Sequence, residues 1–197
     1  FTLISILAIE IFCQAGFIDS PYVYLIVDEG IPFSEIGSRL EKVGLLKNKP
    51  LFLILGRMFG VEHRARAGRY RLKSTADLAS ILRLLHSGAT YREKVTIPAG
   101  LTIEMIAHRL KEKAAVDSLQ FVTLATDSLF TAFLGVASPN LEGYLYPDTY
   151  EIEWREDAAS IITRMVKRFF NAIDDSLRMR MDEIGMSLNE VVTLASI

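Results

Sequence analysis

A strand–turn–helix pattern occurs twice in this sequence, and it constrains the fold more than any other feature. The first copy runs from the strand-like segment YVYLIV through Gly30 into IPFSEIGSRLEKVGLL. The second runs from KVTIPAG, which ends at Gly100, into LTIEMIAHRLKEK. When Gly30 is aligned with Gly100, the apolar positions of the two helices coincide, with Leu40 on Leu110. Because glycine adopts a positive φ readily, each Gly marks the turn, and the repeat predicts an α+β fold.

Patterning and capping signals predict the remaining elements. Asp157 is expected to cap one long helix. Ser187 is expected to cap the last helix, since Glu190 follows it at the spacing of a capping box. Alternation of apolar and polar residues over 141–146 predicts an extended segment that Pro147 interrupts. The helix that Asp157 caps is expected to span 157–184. Another helix is expected to have Ser74 or Thr75 as its cap and to end at Gly88. The other expected elements are strands at 22–27 and 68–72 and helices at 50–59, 118–125 and 128–134.

Charge and residue types exclude several classes of function. Lys and Arg total 22 and Asp and Glu total 24, so the formal net charge is -2 and gives no electrostatic case for nucleic-acid binding. The one cysteine, Cys13, allows no internal disulfide. His63, His86 and His108 lie far apart in the sequence and show no metal-ligand spacing. We therefore expect no metal site and no cofactor.

The first 18 residues, FTLISILAIEIFCQAGFI, are almost entirely apolar. A membrane-spanning helix needs about 20 apolar residues, and an acid such as Glu10 near its middle is unfavourable. Three interpretations stand: the end of a transmembrane anchor, a cleaved signal peptide, and a buried core helix. Gln14, Ala15 and Gly16 resemble a signal cleavage site only loosely. We favour the anchor and expect it to occupy residues 1–18.

The segment LEGYLYPDTYEI concentrates acids and tyrosines in twelve residues. One interpretation is a half-buried hairpin, because tyrosine is common in strands and Asp after Pro is common in turns. The other is a sugar site, in which the rings of Tyr144, Tyr146 and Tyr150 stack on sugar faces and carboxylates accept hydrogen bonds from sugar hydroxyls. Glycoside cleavage also needs a carboxylic acid with a raised pKa, and Glu142 and Asp148 are the local candidates.

The segment HRARAGR, which runs from His63 to Arg69, holds three arginines. Such a run is usually a solvated loop. Its alternative interpretation is a surface that meets an anionic lipid or polymer.

These segments together resemble a known family. IPAGLTIEMIAHRL, NLEGYLYPDTYEI and VVTLASI, in that order, are similar to the endolytic murein transglycosylases of the MltG type, also described as YceG-like. GRYRL, followed by a helix and LLHSG, resembles the LysM-like region of that family. The resemblance covers the chain from about Tyr22 onward. It implies a LysM-like strand and helix subdomain at 19–92 and the N-terminal part of a mostly helical catalytic domain at 93–197.

The resemblance implies a chemistry and a location. The family cleaves the bond between N-acetylmuramic acid and N-acetylglucosamine within glycan strands and leaves 1,6-anhydro ends. One Glu is expected to protonate the glycosidic oxygen and then to help deprotonate the 6-hydroxyl, so its pKa must lie near the operating pH. The expected location is the bacterial inner membrane, with a single span and the domain on the extracytoplasmic side. Expected partners are peptidoglycan strands, the inner membrane and cell-wall synthases.

The resemblance also places the site. The catalytic Glu of the family follows the ASI motif by two residues, and the present sequence ends at Ile197. We therefore expect that Glu beyond Ile197, no catalytic residue within this chain, and an inactive fragment. The stretch LEGYLYPDTY is expected to form a glycan-facing wall opposite the helix that begins at Ser187. The expected substrate-binding residues are Glu142, Tyr144, Tyr146, Asp148, Tyr150 and Ser196.

Two other functions remain open at this stage. One is a non-catalytic peptidoglycan-binding or scaffold protein of the division machinery. The other is a soluble α+β domain of unrelated function, which would require the first residues to belong to the core.

Overall fold

A computed structural model describes residues 21–195. The predicted anchor at 1–18 and the predicted site residue Ser196 lie outside these residues. The described residues divide into two compact units, 21–91 and 92–195. In the described range, no helix combines the length and the apolar character that crossing a bilayer requires. Helices and small antiparallel sheets occur together, which confirms the α+β class. The LysM-like and catalytic identities of the two units stay predictions.

In the first unit, helices and an antiparallel pair of strands share one core. Its elements are β1 (Tyr22–Val27), α1 (Phe33–Lys42), α2 (Lys49–Met58), a 3-10 turn (Val61–His63), β2 (Gly68–Lys73) and α3 (Leu78–Ser87). β1 and β2 pair with Tyr22 opposite Lys73 and Val27 opposite Gly68. The core draws on every helix and both strands, and includes Leu25, Leu40, Phe52, Tyr70 and Ile81.

The second unit places a helical layer against another antiparallel pair of strands. Its elements are β3 (Arg92–Thr96), α4 (Ile103–Ala114), α5 (Ser118–Ala125), α6 (Ser128–Phe133), β4 (Thr149–Glu153), α7 (Ala158–Ala172), α8 (Asp175–Ile184) and α9 (Leu188–Ala195). β3 and β4 pair with Arg92 opposite Glu153 and Thr96 opposite Thr149. The core includes Val95, Leu110, Phe121, Leu141, Ile152 and Ile161.

The sequence repeat is confirmed in three dimensions. Gly30 and Gly100 have φ angles of 74° and 83°, which is the left-handed region that glycine enters at little cost. Each is followed by a helix, and the aligned Leu40 and Leu110 are both fully buried. In each copy the strand before the turn pairs with a strand that comes later in the chain.

The predicted long helix at 157–184 is wrong, because the chain forms two helices there. Asp157 does cap α7, but Ile173 has φ −89° and ψ 96°, which are extended and not helical angles. The carboxylate of Asp174 then accepts a hydrogen bond from the backbone N of Leu177 at 2.8 Å and caps α8. A side-chain cap of this kind supplies an acceptor for an N–H group at a helix start. It therefore favours a new helix at Asp175 over continuation of α7.

The predicted cap of α3 also needs correction. The helix begins at Leu78, and its N-cap is Asp77, whose carboxylate accepts a hydrogen bond from the backbone N of Ser80 at 3.0 Å. Ser74 and Thr75 precede the helix and do not cap it. Asp is as strong an N-cap residue as Ser, and it lies next to the first apolar residue of the helix.

Candidate active-site wall

The stretch LEGYLYPDTY forms a turn, and its predicted extended conformation over 141–146 is wrong. The backbone N of Tyr144 donates to the carbonyl of Leu141 at 3.0 Å, and Gly143 has a φ of 83°. A left-handed residue at this point reverses the chain, so successive side chains no longer alternate between two faces. Strand structure begins only at Thr149.

The turn divides the stretch into a buried side and an exposed side. The side chains of Leu141, Tyr144 and Leu145 are 0%, 1% and 7% exposed. Glu142 and Gly143, which lie between them, are exposed. The buried residues therefore hold the turn in the core of the unit while it presents one carboxylate and a glycine backbone to solvent.

Glu142 connects the turn to helix α4. One of its carboxylate oxygens accepts a hydrogen bond from the backbone N of Ile103 at 3.2 Å, and Ile103 is the first residue of that helix. Its own backbone N donates to the side-chain oxygen of Asn140 at 3.0 Å. A carboxylate at a helix N-terminus is stabilised by the unpaired N–H groups and by the helix dipole, so this contact orients Glu142.

Asp148 is held as an ionised hydrogen-bond acceptor. The backbone N–H of Thr149 donates to it at 2.7 Å, and the guanidinium of Arg168 donates at 2.7 Å. In that order of importance, these two contacts hold the pKa of Asp148 below its ordinary value. A carboxyl group with a lowered pKa carries no proton at neutral pH, so Asp148 suits accepting a hydroxyl hydrogen bond and not proton donation.

The tyrosines differ in what they expose. The ring of Tyr144 lies 5.1 Å from that of Phe169, and its hydroxyl donates to the side-chain oxygen of Asn189 at 3.1 Å. Tyr150 is 5% exposed, and its hydroxyl donates to the carbonyl of Tyr146 at 2.6 Å. Tyr146 itself is half-buried. The ring faces of Tyr144 and Tyr150 are therefore occupied by the core, while Tyr146 keeps part of its surface in solvent.

Burial gives Tyr150 a measurable pH dependence. Loss of solvation raises the pKa of its hydroxyl from 10.0 to about 12. The folded state retains this proton where the unfolded chain loses it, so the contribution of Tyr150 to stability is complete below pH 10.0 and is lost as the pH rises to about 12.

We expect Tyr150→Phe to flatten the fall in melting temperature over this window, as followed by the fluorescence of Trp154, the single tryptophan. Tyr22→Phe, an exposed change in the first unit, should leave the slope as it is, and an unchanged slope in Tyr150→Phe would contradict the assignment.

Helix α9 lies directly against the turn. A Cβ atom added to Gly143 would stand 2.7 Å from Cγ1 of Val192, and the bond between Tyr144 and Asn189 joins the same two elements. Leu188 and Val192 pack on the core of the unit. No motif in the sequence marks Asn189 or Val192 as site residues, although their spacing of three places both on one face of a helix.

The start of α9 is fixed by the predicted capping box, which is confirmed. The backbone N of Glu190 donates to the hydroxyl of Ser187 at 3.3 Å. The Glu190 carboxylate in turn accepts from the backbone N of Ser187 at 2.8 Å. This reciprocal pair satisfies two N–H groups that a helix start leaves unpaired, so it sets where the helix begins.

A polar depression of about 520 Å³ opens beside Asp148. Two of its cationic side chains are paired with acids: Arg168 with Asp148 at 2.7 Å, and Arg92 with Glu153 at 2.8 Å. Its lining residues are mostly charged or polar and offer many hydrogen-bonding groups. Within residues 21–195, His, Cys, Asp and Glu side chains form no group of three that could hold a metal ion.

Comparison with known proteins identifies the family. A family model described as the YceG-like family matches residues 25–197, which include the whole turn and helix α9. The chain belongs to the YceG-like family. This confirms the resemblance carried by IPAGLTIEMIAHRL and LEGYLYPDTY.

Curated relatives of the YceG-like chain carry one name. The endolytic murein transglycosylase of Streptococcus pneumoniae (strain ATCC BAA-255 / R6) is 27% identical over 205 residues, which cover 89% of this chain and 36% of that protein. The endolytic murein transglycosylase of Bacillus subtilis (strain 168) is 25% identical over 186 residues, which cover 87% of this chain and 51% of that protein. The chain thus spans about a third to a half of these relatives.

A solved structure is also similar to the chain. It is the 2.6 Å crystal structure of a Listeria monocytogenes protein described as YceG-like. The identity is 25% and the TM-score is 0.46, over 85% of this chain and 60% of that chain.

Proposed function

We propose that this chain is part of a peptidoglycan lytic transglycosylase that cleaves between N-acetylmuramic acid and N-acetylglucosamine within glycan strands and leaves 1,6-anhydro ends. The names of the curated relatives, which match 87% to 89% of the chain, support the reaction class. The observation that carries the proposal is the direct contact between the LEGYLYPDTY turn and helix α9, because both lie in the region that the family model matches.

In this proposal the turn is one wall of the glycan cleft. Glu142 and Asp148 accept hydrogen bonds from sugar hydroxyls, and Tyr146 offers its partly exposed ring for stacking on a sugar face. Tyr144 and Tyr150 support the wall from the core, since their rings are buried. Ser196 enters the proposed set on the resemblance alone.

The proposed catalytic acid is a Glu that follows the ASI motif in a longer protein. It would protonate the glycosidic oxygen first and take the proton of the 6-hydroxyl afterwards, so it needs a pKa near the operating pH. Glu142 does not replace it in the proposal, because its carboxylate is bonded to the N-terminus of helix α4. This arrangement needs no second carboxylate as nucleophile, in contrast to a retaining hydrolase.

We also propose the cellular setting that the resemblance implies. Residues 1–18 would anchor the protein in the inner membrane by a single span, with both units on the extracytoplasmic side. Peptidoglycan strands would be the substrate, and cell-wall synthases are proposed as partners.

Product analysis tests the proposed reaction. Purified murein is incubated with the longer protein that contains this chain, and the released fragments are analysed by mass spectrometry. We expect 1,6-anhydro ends from the longer protein and none from residues 1–197 alone. Reducing ends without the anhydro ring would indicate hydrolysis and overturn the lytic mechanism. Binding of murein without release of any fragment would favour the non-catalytic binding or scaffold function.

A further inference from the structure

The outer face of the sheet in the first unit carries aromatic and cationic side chains. Buried positions of β1 and β2 alternate with outward ones, as the period of a strand requires. Tyr22 and Tyr24 on β1 are 41% and 45% exposed, and Arg71 on β2 is exposed as well. In the described strands, 22–27 and 68–73, the outward positions are Tyr22, Tyr24, Ile26, Arg69, Arg71 and Lys73, and none is acidic. We call these residues together with Tyr91 the Tyr–Arg face.

The guanidinium groups of this face are stacked on the tyrosine rings. The Cζ atom of Arg71 lies 4.4 Å from the ring centroid of Tyr91 and 4.8 Å from that of Tyr22. The Cζ atom of Arg69 lies 4.4 Å from the ring centroid of Tyr24. All three distances are within the range of about 6 Å over which a cation and an aromatic face attract each other.

The position of Tyr91 is itself fixed to the sheet. Its backbone N donates to the carbonyl of Arg69 at 2.6 Å, and its ring lies 5.6 Å from that of Tyr24. Tyr91 therefore adds a ring from a residue bonded to β2, and the guanidinium of Arg71 contacts both this ring and that of Tyr22 on β1.

Stacking prepares an arginine for recognition of oxyanions. A guanidinium whose plane lies on a ring still directs its N–H groups outward from its edges, and a fixed plane loses less freedom when it binds. Its planar fork matches the two oxygens of a carboxylate. Arg71 is exposed, and Lys73 lies two residues further along the same face. The face therefore offers the oriented guanidinium of Arg71 beside the positive charge of Lys73.

We propose that the Tyr–Arg face binds carboxylates of peptidoglycan, namely those of the peptide stems that branch from the glycan strands. This inference rests on the proposed function for its choice of ligand. In this proposal the first unit binds the peptide stems, whereas the wall of the second unit faces the sugars. The proposal also gives a role to Arg69, the last residue of the HRARAGR segment.

The binding test compares ligands that differ only in their carboxylates. The full chain is titrated with soluble peptidoglycan strands that keep their peptide stems, with the same strands after removal of the stems, and with inorganic polyphosphate. We expect binding of the stem-bearing strands and markedly weaker binding after the stems are removed, because only the sugar-facing wall of the second unit is then left to bind. Binding of the stem-bearing strands should also weaken at high salt because charges at an exposed face are screened. Equal binding of stem-free strands, or tighter binding of polyphosphate, would overturn the assignment to carboxylates.

Two matched double variants test the face itself. Arg71→Gln/Lys73→Gln should weaken binding of stem-bearing strands at least about tenfold, since charge-assisted hydrogen bonds are lost. Arg57→Gln/Arg83→Gln removes the same charge from exposed positions of the same unit and should change binding less than about twofold. Arg71→Lys, which keeps the charge and loses the planar fork, should fall between the two.

Further outcomes separate this inference from the proposed function. If Arg71→Gln/Lys73→Gln binds like the unchanged chain, the inference is wrong even when the longer protein still releases anhydro products. If the longer protein releases none while the variants behave as expected, the reaction is wrong and the binding face stands. Concentration-dependent dimers in sedimentation that Arg71→Gln/Lys73→Gln abolishes would show that the face joins two copies of the chain, which would also overturn the proposal.

Discussion

Replacing Gly143 by Ala is expected to destabilise the second unit by about 2–5 kcal/mol, as the sum of backbone strain and overpacking. The backbone there has a φ of 83°, which is unfavourable for any residue with a Cβ atom. The new Cβ atom would also stand 2.7 Å from Cγ1 of Val192, closer than van der Waals contact allows. Either the turn or helix α9 must therefore move.

The chain offers a matched control for the backbone part of this effect. Gly135 has a φ of 79°, and a Cβ atom added to it meets nothing within 4 Å. Gly135→Ala should therefore carry only the conformational cost of about 1–2 kcal/mol. Unfolding of the second unit can be followed through Trp154, the single tryptophan.

A double variant isolates the steric part. Val192→Ala removes the atom that the new methyl group would meet, so Gly143→Ala/Val192→Ala should be less destabilised than the sum of the two single variants. In the longer protein, Gly143→Ala should also lower turnover, because it displaces the proposed wall from α9. Equal destabilisation by Gly143→Ala and Gly135→Ala would show that the turn does not pack closely on α9.

Local signals in the sequence predicted the parts of the fold that depend on local interactions. The glycine turns at Gly30 and Gly100 and the capping box of α9 need only a few neighbouring residues, and each is present as predicted. The break between α7 and α8 was missed because the apolar spacing of four continues through Ile173. The cap at Asp174 is a local signal as well, but the apolar periodicity that runs across it favours one continuous helix.

The candidate site was harder to predict because its geometry depends on tertiary contacts. The alternation in LEGYLYPDTY favours a strand, yet the turn at Gly143 and its packing on α9 decide the conformation. The sequence placed Tyr144 and Tyr150 among sugar-stacking candidates, whereas the fold buries their rings. Sequence alone could not show that Asp148 would meet Arg168, because the two residues belong to different elements.

Glu142→Gln in the longer protein is expected to lower turnover between about tenfold and about a hundredfold, because small displacements or lost polar contacts in a cleft have effects of this size. The fold should remain intact. Gln keeps one acceptor oxygen for the backbone N–H of Ile103, so the bond seen at 3.2 Å can persist without its charge. The loss of the favourable carboxylate at the start of α4 should be worth less than about 1 kcal/mol.

Kinetics across pH then distinguish what Glu142 does. If its charge raises the pKa of the catalytic Glu by repulsion, the variant should show a lower acidic limb in its pH–rate profile. If it holds a sugar hydroxyl, the profile should keep its shape while KM rises. If it only anchors the turn to α4, the melting temperature should fall and the kinetics should change little.

Glu104→Gln is the matched control, since Glu104 is an exposed carboxylate in the first turn of the same helix. It removes the same charge from the same helix end without touching the turn, so it should reproduce the stability loss that comes from removing a carboxylate there, including the contact of Glu104 with Thr102. A kinetic effect seen in Glu142→Gln and absent in Glu104→Gln would therefore come from the role of Glu142 in the proposed glycan cleft and not from the lost charge at the start of α4. Turnover equal to that of the unchanged protein at every pH would remove Glu142 from the proposed wall.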